Sequence, residues 1–244
     1  MREPDPQRIC GPNAVRALFL RRPQAVLRLF FEPERAGFAE PLARHMARAR
    51  KPFREVWPEE LSRVAGTTHH GGIVAIAAPR LAEPLGEGPL PPVLWQAPLL
   101  PVLDGIGNPH NLGAILRSAV FFGARAVVLG DDPRTADLSD AVFRISEGAV
   151  EHLAVYRAEN LPRLLKRLSG RLLPVAAVAA GGVPPAQVPR EKPVALVLGN
   201  EEQGPSPAVI AACAGGCTLP ARGPMESLNV SVAAGVLFAA FAPS

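Results

Sequence analysis

Three segments of the 244-residue chain join Gly, Asn and charged side chains directly to the ends of apolar runs. The first, Asp104-Gly105-Ile106-Gly107-Asn108-Pro109-His110-Asn111-Leu112-Gly113, leads into a stretch carrying Arg117 and Ser118. The second, Gly199-Asn200-Glu201-Glu202-Gln203-Gly204, follows the run VALVL. The third opens on Leu219-Pro220 and closes on Met225-Glu226-Ser227-Leu228-Asn229. Two familiar phosphate-binding chemistries fail here. Gly105-x-Gly107 lacks the third glycine of a dinucleotide fingerprint, because His110 stands there, and Pro205-Ser206 replaces the Lys-Ser/Thr of a phosphate loop. In any one loop, Gly and Asn are explained by turn geometry alone. Asn111, Arg117, Glu201, Ser227 and Asn229, spread over three such loops, together mark a candidate site.

The elements that must hold these loops are short continuous apolar strands alternating with helices. Strands are expected at 99–103, 126–129, 153–156, 172–179, 194–198 and 217–219, and helices at 112–122, 161–168, 207–214 and 228–241. Such a pattern predicts an α/β fold with a mostly parallel sheet covered on both faces, and ligands bind at the C-terminal ends of such strands. Upstream, residues 79–101 hold seven prolines and read as a stiff linker. Before that lies a small alternating α/β unit, with a helix opened by Gly11-Pro12-Asn13, strands at 26–31, 53–57 and 73–77, and helices at 38–50 and from Pro58. The expected division is 1–78, a linker at 79–98, and 99–244.

Charge is unevenly shared. Residues 1–80 carry a net +6 and residues 81–244 a net −2, and 23 of the 26 basic residues are Arg. Arg grips phosphate bidentately, so a basic front third suits a polyanion, although a compositional preference for Arg explains charge alone equally well. Three Cys cannot form a disulfide framework, and Cys213 and Cys217 lack the spacing of a zinc knuckle. No structural metal is expected. The longest nearly apolar run, 230–242, is 13 residues against the ~20 a membrane span needs. The N-terminus lacks a secretory pattern, so a cytoplasmic protein without a membrane partner is expected. Trp57 and Trp95 read as packing residues, and His69-His70 as part of a turn.

The three segments resemble, in order, the motifs of the SpoU/TrmH family of RNA ribose 2′-O-methyltransferases, within the knotted SPOUT superfamily. NPHNLGAILRSA is similar to the first motif, LVLGNEEQG to the second and LPARGPMESLNVSVAAG to the third, and the resemblance covers 99–242. Residues 8–78, notably RICGPNAVRALFLRRP and GTTHHGGIVAI, resemble the family's small N-terminal substrate-binding domain. Asn108 stands where many members have Asp.

The resemblance implies a trefoil knot in the C-terminal half and S-adenosyl-L-methionine as cofactor, with Gly199, Leu219 and Leu228 in contact with it and Asn200, Gly204 and Asn229 completing its pocket. It implies methyl transfer to a ribose 2′-hydroxyl. No conventional base is present in the motifs. Arg117 is expected to orient the substrate phosphate and stabilise developing alkoxide charge, Asn111 to position the hydroxyl or Arg117, and Glu201, Ser227 and Asn229 to fix Arg117 and the loops. The partners implied are RNA, with ribosomal RNA favoured over tRNA, and a second copy of the chain. Val230, Ala233, Ala234, Leu237 and Phe238 are expected to be buried by the core and that partner. Two rival readings remain: an RNA-binding protein that has kept the fold without transfer, and a base-methylating SPOUT enzyme.

Overall fold

Apolar runs punctuated by Pro-opened helices fold into two α/β sheets in the computed structural model, which describes residues 5–242. The chain forms two compact units, residues 5–81 with 138–152, and residues 82–137 with 153–242.

The first unit is built from β1 (Gln7–Cys10), α1 (Pro12–Arg21), β2 (Val26–Phe31), α2 (Ala36–Arg48), β3 (Phe53–Glu55), α3 (Pro58–Ala65) and β4 (Ile73–Ala77). Its strand order is β1-β4-β2-β3, with only β2 and β3 parallel. Leu61 and Ala65 of α3 bury one face against Cys10, Val56 and Val74. Ala14, Val15, Ala17 and Leu18 of α1 are buried as well. Trp57, expected to pack, is instead 72% exposed at the start of α3, whereas its neighbour Val56 takes the core position. His70 is buried, with Nδ1 accepting from the Gly72 N–H (3.2 Å) and Nε2 within 3.0 Å of Ser62 Oγ.

In the second unit follow β5 (Glu83–Pro84), β6 (Leu99–Asp104), α4 (Pro109–Phe121) and β7 (Ala126–Gly130). The chain then makes α5 (Asp140–Ser146) within the first unit and returns through β8 (Ala154–Ala158), α6 (Leu161–Leu168), β9 (Leu173–Ala177), β10 (Val194–Gly199), α7 (Pro207–Ala211), β11 (Gly215–Cys217) and α8 (Val230–Phe241). All pairs of this seven-stranded sheet are parallel, in the order β11-β9-β10-β6-β7-β8-β5. Leu161, Leu164, Leu165 and Leu168 form an i, i+3, i+4, i+7 stripe that packs on Leu100, Val102, Val128 and Val197. Each such buried Leu contributes about 1.5–3 kcal/mol. The opposite side of the helical cover is the pair α4 and α8, which approach closely where a Cβ on Gly235 would lie 3.8 Å from Ser118 Oγ.

Two stretches pack differently from what proline content and periodicity suggest. The proline-rich segment does not run free: Glu83 and Pro84 pair with Tyr156 and Arg157, and Leu94 is buried in the core of the second unit. Residues 138–152 complete the first unit. The Gln7 side chain donates to the Leu138 carbonyl (2.6 Å), the Arg8 N–H to Asp140 (3.0 Å), and Asn13 to Glu147 (2.7 Å). The Glu151 carboxylate, with its side chain wholly buried, accepts from Arg22 Nε and Nη2 (2.7 and 2.8 Å) and from Arg80 Nη1 (2.9 Å).

Candidate active site

The order of the parallel strands explains where the polar loops meet. From β6 the chain proceeds to β7 and β8 on one side, while β10 lies on the other, so the loops that leave β6 and β10 meet where the strand order reverses. Asp104 and Gly199 end these strands in register. The Asp104 carboxylate accepts from the Ser206 N–H (2.7 Å), and Asn200 Nδ2 donates to the Gly105 carbonyl (3.1 Å). Asn200 Oδ1 also accepts from the Glu202 and Gln203 N–H groups, and Gly204 N–H returns to the Asn200 carbonyl (2.8 Å). The second loop is thereby closed into a tight turn that presents Glu201 outward.

Gly199 has a steric reason to be glycine. A Cβ there would lie 1.9 Å from Pro205 N and 2.0 Å from the Gly204 carbonyl carbon, because the returning loop crosses directly over it. A second close approach occurs at β11, where a Cβ on Gly182 would meet Gly216 at 2.6 Å. Thr218 ties this crossing, accepting from Gly182 N–H and donating to the Val178 carbonyl, each at 3.0 Å. Leu219 follows, half-buried, and residues 220–229 run exposed to the start of α8.

The three loops converge on Asn111. Asn108 caps α4 by accepting from the His110 N–H (2.8 Å), so the amide that replaces the family's usual Asp still satisfies a helix-end donor. Pro109 occupies the first turn, and Asn111 follows with its side chain buried. Its Nδ2 donates to Glu201 Oε1 (2.6 Å), and its Oδ1 accepts from Asn229 Nδ2 (3.1 Å). Asn229 in turn caps α8, its Oδ1 accepting from the Ser231 N–H (2.9 Å) and Oγ (2.6 Å). Every amide orientation follows from the next: the carboxylate can only accept, so Asn111 must offer its nitrogen there and its oxygen to Asn229. A partly buried polar junction of this kind holds one geometry when all its members are paired.

The remaining site residues lie outside that junction. Ser227 is exposed, two residues before Asn229, with no hydrogen-bond partner among the described residues. Leu228 is 53% exposed beside it. Arg117 stands six residues along α4 from Asn111, which is about 9 Å of rise and roughly a 120° turn away from the buried junction. It is exposed and shares that outer face with Ala114 and with Phe121, which is 81% exposed. Ser231 and Asp104 were not assigned roles from sequence. The signal for Ser231 is local, a hydroxyl two residues after a capping Asn. Asp132 and Arg134 are a further pair beside Gly105: the Arg134 guanidinium holds the Asp132 carboxyl down at about 2. Among the described residues, no group of three or more His, Cys, Asp or Glu is placed to hold a metal ion.

The same order of elements and motifs recurs in known proteins. The chain is 38% identical over 189 residues to the 23S rRNA (guanosine-2′-O-)-methyltransferase RlmB of Nitrosomonas europaea, covering 75% of this chain and 70% of that protein. A crystal structure of an RNA 2′-O ribose methyltransferase superposes with a TM-score of 0.75 at 26% identity, covering 96% of this chain and 86% of the other. The SpoU methyltransferase AviRb of Streptomyces viridochromogenes, in complex with the cofactor AdoMet, superposes with a TM-score of 0.76 at 20% identity, over 96% and 88% of the two chains, a likeness of fold. The chain spans 46 to 71% of the length of the curated relatives it matches. The family described as RNA 2′-O ribose methyltransferase substrate binding matches residues 8–81. Residues 98–239, which hold all three loops and the Asn111 junction, match the SpoU rRNA Methylase family, and to that family this chain belongs.

Proposed function

We propose that this protein transfers a methyl group from S-adenosyl-L-methionine to a ribose 2′-hydroxyl of structured RNA, with ribosomal RNA favoured over tRNA, and that it does so in the cytoplasm. The observation that carries the reading is the Asn111 junction, in which one side chain joins the motifs that bear Glu201 and Asn229. The 23S rRNA specificity in the name of the Nitrosomonas relative supports the choice of RNA.

The residues fit the cofactor. Gly204, where a Cβ would meet nothing within 4 Å, leaves main chain uncovered, while Met225 and Leu228, 72% and 53% exposed, offer apolar side chains without a cover. Such a surface reads a heteroaromatic ring by its edge through backbone groups and shields its faces. Gly199, Asn200, Gly204, Leu219, Leu228 and Asn229 are proposed to hold it. When bound, S-adenosylmethionine supplies an electrophilic methyl on sulfonium. A knotted crossing is proposed where the chain passes from β11 through residues 218–229 to α8.

The chain's own task is to bind, align and stabilise charge. A ribose hydroxyl is a poor acid, and the guanidinium of Arg117 offers hydrogen-bond donors but no acceptor. We assign it to the substrate phosphate and to the negative charge that develops on the attacking oxygen. Asn111, locked between Glu201 and Asn229, fixes the loops around that oxygen, and the exposed Ser227 lies free to meet substrate. Arg117 faces away from its own junction, together with Phe121, while α8 exposes Val232 and Val236 at 53% and 47%. An uncovered apolar face on paired helices supports a homodimer in which Arg117 serves the partner's pocket. Residues 8–81 are proposed to grip the RNA through phosphates and shape.

Calorimetric titration with S-adenosylmethionine, followed by transfer of a labelled methyl to ribosomal RNA, tests the reading. The expected result is cofactor binding by both wild type and Arg117→Ala, with transfer lost only in the variant. Undiminished transfer by Arg117→Ala removes the proposed role, and binding without transfer by wild type favours the inactive RNA-binding alternative.

A further inference from the structure

The edge of the four-stranded sheet in the first unit carries a notch. β2 begins at Val26, but its parallel neighbour β3 pairs only from Phe53, opposite Leu29. The Leu29 N–H donates to the Pro52 carbonyl (3.1 Å), and Pro52, having no N–H of its own, ends the ladder there. The start of β2 is left without a strand on that side. A concavity of about 400 Å³ results, lined by Arg28, Leu29, Phe30, Pro52, Phe53 and Arg54.

Phe30 pairs opposite Arg54, and strand alternation puts Arg28 on the same face as Phe30. Phe30, partly buried against the cluster of Val56, Leu61 and Val74, therefore has an arginine position on either side of it on this face. Arg54 pairs with Glu60, whereas Arg28 has no hydrogen-bond or ion-pair partner among the described residues. The surroundings add positive charge: residues 41–54 hold five Lys or Arg and no carboxylate, Arg44 is paired with Glu40, and Arg48 and Arg50 are exposed. Lys51 is absorbed by the fold, its Nζ donating to the Gln24 and Val26 carbonyls at 2.7 and 2.5 Å. Like charges flanking an apolar floor complement a ligand that is itself flat, apolar on its faces and anionic at its ends. An unstacked nucleotide has that chemistry. An added protein strand is a poorer match, because β3 exposes Arg54 and Glu55, charges of the kind that guard sheet edges.

We infer that this notch is an RNA subsite that takes one unstacked nucleotide, its base over Phe30 and Pro52 and its flanking phosphates on Arg28 and Arg54. The inference rests on the reading that the protein acts on RNA and deepens it, giving the first unit a defined contact with single-stranded substrate.

The test uses the full chain and a fluorescein-labelled, mixed-sequence single-stranded RNA of about twelve nucleotides carrying 4-thiouridine. Arg28→Gln removes no hydrogen bond or ion pair among the described residues. It is expected to weaken binding about tenfold in anisotropy titrations and to lower the slope of log affinity against log salt by about one, with a larger loss for Arg28→Gln/Arg54→Gln. Calorimetric binding of S-adenosylmethionine should stay as in wild type, and photo-crosslinks should map to the peptide carrying Pro52, Phe53 and Arg54. Wild-type affinity and salt slope in the double variant, or crosslinks confined to other peptides, overturn the inference, as does docking of a protein strand, which leaves RNA affinity untouched. If the expected binding losses appear but wild type transfers no methyl to RNA, the subsite stands and the catalytic reading falls.

Discussion

Asn111 donates its amide N–H to the Glu201 carboxylate at 2.6 Å, across 90 residues of chain. The contact places a charge-assisted hydrogen bond, worth about 1.5–3 kcal/mol, between two loops also joined by Asn200 to Gly105 and by Asp104 to Ser206. Asn111→Asp sets carboxylate against carboxylate and removes the donor. Methyl transfer is expected to fall about 10- to 100-fold, more than in Glu201→Gln, which keeps an acceptor oxygen for the same N–H. Steady-state assays of both variants check the order.

Gly199→Ala is expected to damage the cofactor pocket without touching a polar side chain. Its Cβ would overlap the Gly204–Pro205 peptide, within 2.4 Å of three backbone atoms. Backbone cannot rotate away as a side chain can, so the loop must shift, at a cost of about 1–3 kcal/mol. A lowered melting temperature and at least tenfold weaker binding of S-adenosylmethionine are the expected readings in calorimetry.

How much of this was legible beforehand differs by element. Glu201, Asn111 and Asn229 could be grouped from sequence because each follows an apolar run whose end must open at the same edge of a parallel sheet. Their pairing could not, since spacing does not say which amide faces which. Gln7–Cys10 escaped notice as a strand because four residues give too little alternation. Glu83–Pro84 was hidden among prolines, yet an outermost strand tolerates a residue with no N–H. The segment 138–152 falls within the expected 99–244 unit by sequence position, and the apolar character of Val142 and Phe143 does not name the core that receives them. Arg117 was placed on the right helix, but only the three-dimensional helix turn shows that it points away from Asn111.

Glu151 is the polar anchor by which residues 138–152 join the first unit. Its buried carboxylate satisfies Arg22 and Arg80, both less than a fifth exposed. Removing the charge takes the countercharge from two partly buried guanidinium groups while an acceptor oxygen remains, which costs about 1–3 kcal/mol. Glu151→Gln is expected to lower the denaturant midpoint of the first unit while S-adenosylmethionine affinity stays unchanged. An unaltered midpoint would show that solvent already compensates the arginines.

Phe121→Glu places a charge on the exposed outer face of α4. It touches no core, so the protein should fold and bind cofactor. Sedimentation velocity is expected to show conversion from dimer to monomer together with loss of methyl transfer. A variant that stays dimeric and active assigns another surface to the dimer.

Burial pushes the Cys10 and Cys213 thiols up to about 11. A raised value keeps both neutral through pH 9, and the thiolate needed for alkylation accumulates only as pH approaches 11. Native protein is therefore expected to react slowly with iodoacetamide at pH 8, and unfolded protein fast at all three cysteines. Rapid native labelling of Cys10 would mean that the first unit opens locally.

The most direct measurement is digestion of ribosomal RNA to nucleosides after incubation with the protein and isotopically labelled S-adenosylmethionine, followed by mass spectrometry. The expected product is a nucleoside whose added mass stays with the sugar fragment, absent when Arg117→Ala replaces wild type. Label retained on the base fragment, or equal sugar labelling by the variant, contradicts ribose methylation assisted by Arg117.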